Sequence, residues 1–325
     1  MEVYFQLKIM QHVINNFIFG NVWDFGNPFT IVIDTRNTIS GGSAENEWKF
    51  PQNTDIYDTY INFLIDWGDG EFSRITTKAQ AVVPHVYSVP GIYTINMYKP
   101  KIGNWILSPR YEGYQSERLK ILKVLRWGNF QNSRNCFWNC SNLDLSEVEG
   151  SLTFSGNTRN NFAGCVNLTT IKNLSDIYFT NILDFTNIFN SCQNFNQSFT
   201  FNAPNATYIS AFLYGCTNFN GDLVINAPNI TRVDSFFRNC TSFNKPVHNI
   251  GFDWTKINNM TNFMTGKSSA NYNAAYYDDL LIALDNAGQS NVTLGMDSIK
   301  YTSAGATARA NLISKGWTIT DGGQI

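Results

Sequence analysis

The chain has 325 residues, 43% of them hydrophobic, which is enough apolar material for two or three cores. Only 15% are charged and the net charge is −2, so there is no electrostatic reason to expect nucleic acid or an anionic membrane surface as a partner. No stretch reaches the roughly 18 to 20 apolar residues that cross a bilayer. Aromatics make up 15% and there are 42 Asn. Asn tolerates left-handed backbone and hydrogen-bonds to nearby main chain, which suits a chain that turns every few residues; an AT-rich genome would enrich it too.

The opening MEVYFQLKIMQHVINNF lacks a basic start, a continuous apolar stretch and a small-residue cleavage site, so it does not have the pattern of a secretory signal. No Cys near the start offers a lipid attachment point. Synthesis in a cytoplasm is the expectation. Val3, Phe5, Leu7 and Ile9 alternate with Glu2, Gln6 and Lys8, a strand pattern. Residues 1–24 read as an arm. It is either the first strand of the adjoining domain or a segment that adds to a partner's sheet edge.

Residues 25–105 carry all-β signals. FTIVID (29–34), YINFLIDW (60–67) and GIYTINMY (91–98) are β-branched and aromatic runs bounded by Gly, Pro, Asn and Asp. Asp69-Gly70 marks a tight turn after an apolar strand, and Pro90-Gly91 marks another. Trp67, Gly68, Asp69 and Gly70, then His85, Tyr87, Gly91 and Tyr93, resemble the paired motifs W-x-F-G-D-G and H-x-Y-x-x-x-G-x-Y-x-V of PKD-like domains. The first motif departs slightly, reading DWGDG. The resemblance covers about 75 residues and implies an immunoglobulin-type β-sandwich.

Residues 106–136 form a junction and N-terminal cap. ERLKILKVLRWGNF is apolar and basic, and predicts a strand or two over the open end of the repeat region.

Residues 137–270 repeat. NFNQSFTFNAPNATYISAFLYGCT (194–217) abuts NFNGDLVINAPNITRVDSFFRNCT (218–241), with 11 of 24 positions identical. The anchor is an aromatic or Leu, two residues, Cys, one residue, Asn or Ser, then Leu or Phe. It recurs with Cys140, Cys165, Cys192, Cys216 and Cys240, and a degenerate unit has Lys267 at the Cys position. A fixed period of this size is the signature of a stacked solenoid. Equivalent cysteines would stack about 4.8 Å apart as small buried apolar packers, and Lys267 would belong to a terminal unit facing water. Period and anchor resemble the leucine-rich repeats of BspA-type bacterial and phage surface proteins, whose unit looks like M-F-x-x-C-x-x-F-N; NFN at 194–196 and 218–220 and SFN at 242–244 fit it. The order of sandwich, repeats and a tail ending GWTITDGG is also similar to that family.

Residues 271–325 read as an α/β C-terminal cap. YYDDLLIALDNAG predicts a helix with Leu280, Leu281 and Leu284 on one face and a stop at Gly288. SAGATARANLISKG predicts a second, with Ser303 as cap, Leu312 and Ile313 inward and Gly316 as its stop. NVTLGM and WTITD predict strands. The expected fold class is therefore mainly β: a PKD-like, immunoglobulin-like sandwich, then a short leucine-rich-repeat-type solenoid with an α/β cap.

Catalytic motifs are missing from the sequence, and its three His are scattered at 12, 85 and 248, so no enzyme, cofactor or catalytic residue is expected. Asp66 and Asp69 lack the acidic density of a dedicated calcium loop, and Cys136 and Cys140 lack nearby His, so no metal site is expected. Asn205-Ala-Thr and Asn229-Ile-Thr match glycan acceptor triplets, which chance supplies in an Asn- and Thr-rich chain. Recurrent Phe residues belong to the core. Ligand contacts are better sought where the repeats differ: Tyr208 against Arg232, and Tyr214 against Arg238.

The resemblance implies adhesion. The expected function is a non-enzymatic virion component, a phage fibre or capsid-decorating protein made in the host cytoplasm, which attaches to a host surface protein or glycan. Other virion proteins would dock on the arm or sandwich, and a homo-oligomer is compatible with this. The alternatives are a bacterial cell-surface adhesin and a carbohydrate-binding module of a glycan-processing system.

Overall fold

The computed structural model describes residues 27–40, 42–49, 63–98, 115–132, 134–154 and 158–325. The arm at 1–24 and the start of the run at 60–67 lie outside these residues. The described residues are mainly sheet with few helices.

The first unit is antiparallel. β1 (Phe29–Asp34), β3 (Phe63–Asp66) and β6 (Ile92–Tyr98) fall in the three predicted runs; β2 (Glu47–Trp48), β4 (Phe72–Ile75) and β5 (His85–Val86) are added to them, with a single-turn helix α1 (Lys78–Ala81) between β4 and β5. The junction supplies one more strand, β7 (Ile121–Arg126). One sheet has the order β4-β3-β6-β1-β7, and β2 pairs with β5 as a separate ribbon. Alternation places Ile31, Ile33, Ile65 and Ile95 inside, together with Trp48 and Tyr87.

The junction holds the expected strands, β7 and a second at Gln131–Asn132, and adds a short helix, α2 (Gln115–Lys120). β7 has two partners. One edge pairs antiparallel with β1. The other receives the first repeat coil: Asp144 N–H donates to Leu122 O and Glu149 N–H to Leu125 O. β7 thus closes the sheet edge and serves as the first rung of the repeats, so neither is left with open backbone groups. Lys120, fully buried at the end of α2, donates its ammonium to Ser43 Oγ, Ala44 O and Glu47 O at 2.6–2.8 Å.

The repeats stack as coils. β8 (Gln131–Asn132) pairs parallel with β9 (Thr153–Phe154). β10 (Phe199–Asn202) pairs parallel with β11 (Leu223–Asn226), in register one repeat apart. A second line of parallel bridges runs Asp184–Tyr208–Arg232–Asn259. Even the turns are tied between coils, as in Leu213 N–H to Phe236 O and Gly215 N–H to Arg238 O. Inside, Phe137, Phe162 and Phe189 stack at 5.8 Å, Phe195, Phe219 and Phe243 at about 6 Å, and Phe212 on Phe236 at 5.3 Å. Each ring is essentially inaccessible, so each contributes roughly 2–3 kcal/mol of burial.

Two left-handed positions bend every coil. The residue just before the Cys position has positive φ in all six units: Asn139, Gly164, Ser191, Gly215, Asn239 and Gly266. So does the residue five before the Cys position: Asn135, Asn160, Asn187, Ala211, Ser235 and Asn262. Left-handed backbone favours Gly and Asn, which gives the Asn excess a structural role.

The stack continues into the tail. β12 (Thr293–Gly295) lies against the Met260 coil and β13 (Thr318–Thr320) lies parallel on β12. α3 (Ala274–Ala287) and α4 (Ser303–Ser314) pack together, with Gly305 so close to Asp278 that a Cβ would come within 2.4 Å of its carboxylate. Leu280, Leu281, Leu284 and Leu312 are buried as expected. Ile313 is not; it is 45% exposed, because Leu312 takes the inward position of that turn. The cap of α4 is Thr302 rather than Ser303: the Thr302 hydroxyl accepts from Ala304 N–H.

Candidate binding face

The paired motifs of the first unit come together. Trp67 and His85 stack at 4.4 Å, and His85 Nε2 lies 2.7 Å from Asp69 Oδ2. Tyr87 meets His85 edge-on and stacks on Tyr93 at 3.8 Å, while its hydroxyl donates to Trp67 O. Gly68 has φ +81°, and a Cβ there would come within 2.3 Å of Thr94 O, so no side chain fits. Asp66 accepts from Gly68 N–H and Asn96, and Asp69 from Glu71 N–H. Burial opposes the Asp69 charge, but bonds from His85 and Glu71 outweigh it and hold the carboxyl below its ordinary range. Both carboxylates are engaged in shaping the turn. Among the described residues no three His, Cys, Asp or Glu converge as metal ligands.

The thiols form a file along the interior. All six cysteines are free and buried. Four of them donate to a carbonyl of the preceding coil: Cys165 to Phe137 O, Cys192 to Phe162 O and Cys216 to Phe189 O at 3.0 Å, and Cys240 to Leu213 O at 2.8 Å. Burial pushes Cys140 and Cys240 up to about 12, and Cys165, Cys192 and Cys216 upward as well. These thiols are packing groups with a directed hydrogen bond; they have no thiolate character for chemistry.

Lys267 overturns the expectation of a water-facing end. It is 2% exposed and donates to Cys240 O at 2.8 Å and Thr241 O at 3.2 Å, with Tyr272 beneath its ammonium at 5.8 Å. The next coil, carrying Ser298 and Ile299, covers it, because the tail extends the stack. Desolvation lowers its pKa to about 8.

The outward positions hold the four predicted contact residues. Tyr208 and Arg232 are exposed rung neighbours in the line Asp184–Tyr208–Arg232–Asn259, with Arg232 Nε donating to Asp234. Tyr214 and Arg238 lie in the next turn, half-buried, with the guanidinium 5.4 Å from the ring centre. Each pair is joined within itself, across adjacent coils.

Sequence reasoning missed a third line, exposed at Tyr178 and Asn226 and buried at Asn202 between them. Tyr178 bridges to Asn202, and Asn202 pairs with Asn226. Tyr178 is 70% exposed. Asn226 Nδ2 donates to Asn202 Oδ1 at 2.7 Å, and Asn202 Nδ2 to Ser175 O at 2.8 Å. The line borders a groove of about 510 Å3 walled by Pro204 and Pro228 and floored by Ile225 and Phe252. The only sequence signal was an aromatic in one coil where the next two have Asn, hidden by the lack of identity between that coil and its successors.

Residues 156–277 match the family model described as "Mycoplasma protein of unknown function, DUF285". The matched stretch runs from the second anchor, at Cys165, through Lys267 into α3, and it loosely fits the BspA-type repeat resemblance. No curated protein and no solved structure matches the chain.

Proposed function

We propose that this is a non-enzymatic attachment protein, in which a PKD-like sandwich carries a short BspA-type, leucine-rich-repeat-like solenoid whose side wall binds a surface protein or glycan. One observation carries the reading. Inward positions hold Cys and Phe coil after coil, whereas the outward line on the same rungs changes from coil to coil: Asp184, Tyr208, Arg232 and Asn259. A fixed interior with a variable wall is what a repeat binding surface requires.

On this reading the protein sits on a virion as a fibre or capsid-decorating component, docked by its sandwich. Exposed Val83, Val86, Val89 and Ile92 near the β5–β6 turn support that docking role, since clustered exposed apolar residues mark contact surfaces. A bacterial surface adhesin is the second reading, favoured by the match to a family described from a cellular organism. Fractionation separates them. Co-purification with particles, located by labelling in the electron microscope, supports the first and envelope association the second. Recovery only from the soluble fraction, with no binding to cells, would contradict both.

A further inference from the structure

We propose that the groove beside Tyr178, Asn202 and Asn226 is a subsite for an uncharged saccharide, with Tyr178 as its stacking platform. The inference rests on the attachment reading above and names its ligand class. A sugar ring presents C–H groups on its faces and hydroxyls around its rim. An exposed aromatic ring takes the face, and amides, which both donate and accept, take the rim. Tyr178 supplies the ring at 70% exposure. Asn226 supplies the amide: it is exposed, it spends one N–H on Asn202, and its Oδ1 accepts no bond from the described residues. The Asn202–Ser175 bond holds the ladder in place. The groove volume, about 510 Å3, falls among small-ligand clefts.

Charge and backbone chemistry narrow the ligand. Among the described residues that line the groove, Asp253 is the one ionisable group besides the Tyr178 phenol, and it already accepts from Thr255 and lies 3.5 Å from Lys256. Lys256, at the rim, already spends its ammonium on Pro228 O at 2.7 Å and on Asp253, so an anionic sugar or phosphate would meet the Asp253 carboxylate on the lining with no cation left over to pair with it. A peptide adding as a strand would need open rung backbone. The backbone is occupied: Ala203 N–H donates to Asn226 O and Ile225 N–H to Ile250 O.

The test is a glycan array of neutral and anionic oligosaccharides probed with the full chain, beside binding to intact cells, using Tyr178→Ala, Tyr178→Phe and Asn226→Ala. Neutral glycans should bind. Tyr178→Ala should weaken binding about tenfold or more, Asn226→Ala several-fold, and Tyr178→Phe little. The melting temperature of Tyr178→Ala should stay within a degree or two, since its ring is exposed, whereas Asn226→Ala, which strips buried Asn202 Oδ1 of its donor, should lower it by a few degrees and remain folded at the assay temperature. Neutral-glycan binding that survives both alanine variants overturns the groove assignment. Preference for anionic glycans, or cell binding without glycan binding, overturns the ligand class while attachment stands. Absence of both overturns the attachment reading as well.

Discussion

Alkali should unfold this protein through its thiols. Cys140, Cys165, Cys192, Cys216 and Cys240 are fully buried, and desolvation raises each above its ordinary value of 9.0. At pH 10 the folded chain keeps these protons and the unfolded chain releases them. The folded state then binds more protons, so stability falls as pH rises above about 9. One unit above 9.0, the linkage is RT ln 11, about 1.4 kcal/mol per thiol. Five thiols give about 7 kcal/mol, comparable with the roughly 5–15 kcal/mol that holds a domain together. Lys267 opposes this, because its depressed ammonium makes the unfolded chain the better proton binder between about 8 and 10.5, and buried Lys120, lowered by desolvation, acts in the same direction, but these are two groups against five. The assay is denaturant unfolding at pH 7.5, 9 and 10 with reductant present, on the wild type and on Cys192→Ala/Cys216→Ala. The double variant should start less stable, by about 1–2 kcal/mol per site, yet lose about 3 kcal/mol less on going to pH 10. A pH response that is flat, or identical in the two proteins, would refute the reasoning.

The same geometry supports further expectations. Relative to Lys267→Met, the wild type should gain stability between pH 8 and 10.5, as the buried ammonium sheds its proton in the fold before it does in the unfolded chain; a difference that does not vary with pH contradicts its burial. Ala211→Asn should raise stability by about 0.5–1 kcal/mol, read as a higher melting temperature, because Ala211 holds φ +52° at a position where four of the six coils use Asn. Gly251→Ala should cost about 2–4 kcal/mol, since φ is +108° and a Cβ would come within 2.3 Å of Ile225 O; an unchanged melt would disprove that close approach. Phe236→Ala removes a ring packed among Phe212, Phe237, Phe252 and Phe263 and should cost about 3–5 kcal/mol in chemical denaturation.

Much of this is legible in the residues. The period of Cys and Phe determines which side chains face inward, because a stack must bury the same positions in each coil. The Asp69-Gly70 turn and the His85–Tyr87–Tyr93 alternation mark the first sheets, and Gly288 and Gly316 mark helix ends with left-handed backbone. What escapes depends on contacts remote in sequence. Nothing local says that β7 pairs with β1 on one edge and the first coil on the other. ERLK reads as strand because its apolar neighbours hide a short helix. Lys267 reads as water-facing because an ammonium normally belongs there; two carbonyls of the preceding coil and the tail coil above it make burial possible. The Tyr178 line is invisible because its members become neighbours only once coils of unequal sequence are in register.

The most direct test of the stacked interior is thiol reactivity toward an aromatic disulfide reagent at pH 7.5, with and without denaturant. All six cysteines are buried and free, so the native protein should show essentially no fast-reacting thiol and the unfolded protein six. Two or more of Cys165, Cys192, Cys216 and Cys240 reacting rapidly under native conditions would place them outside the column and contradict the stacking of the coils.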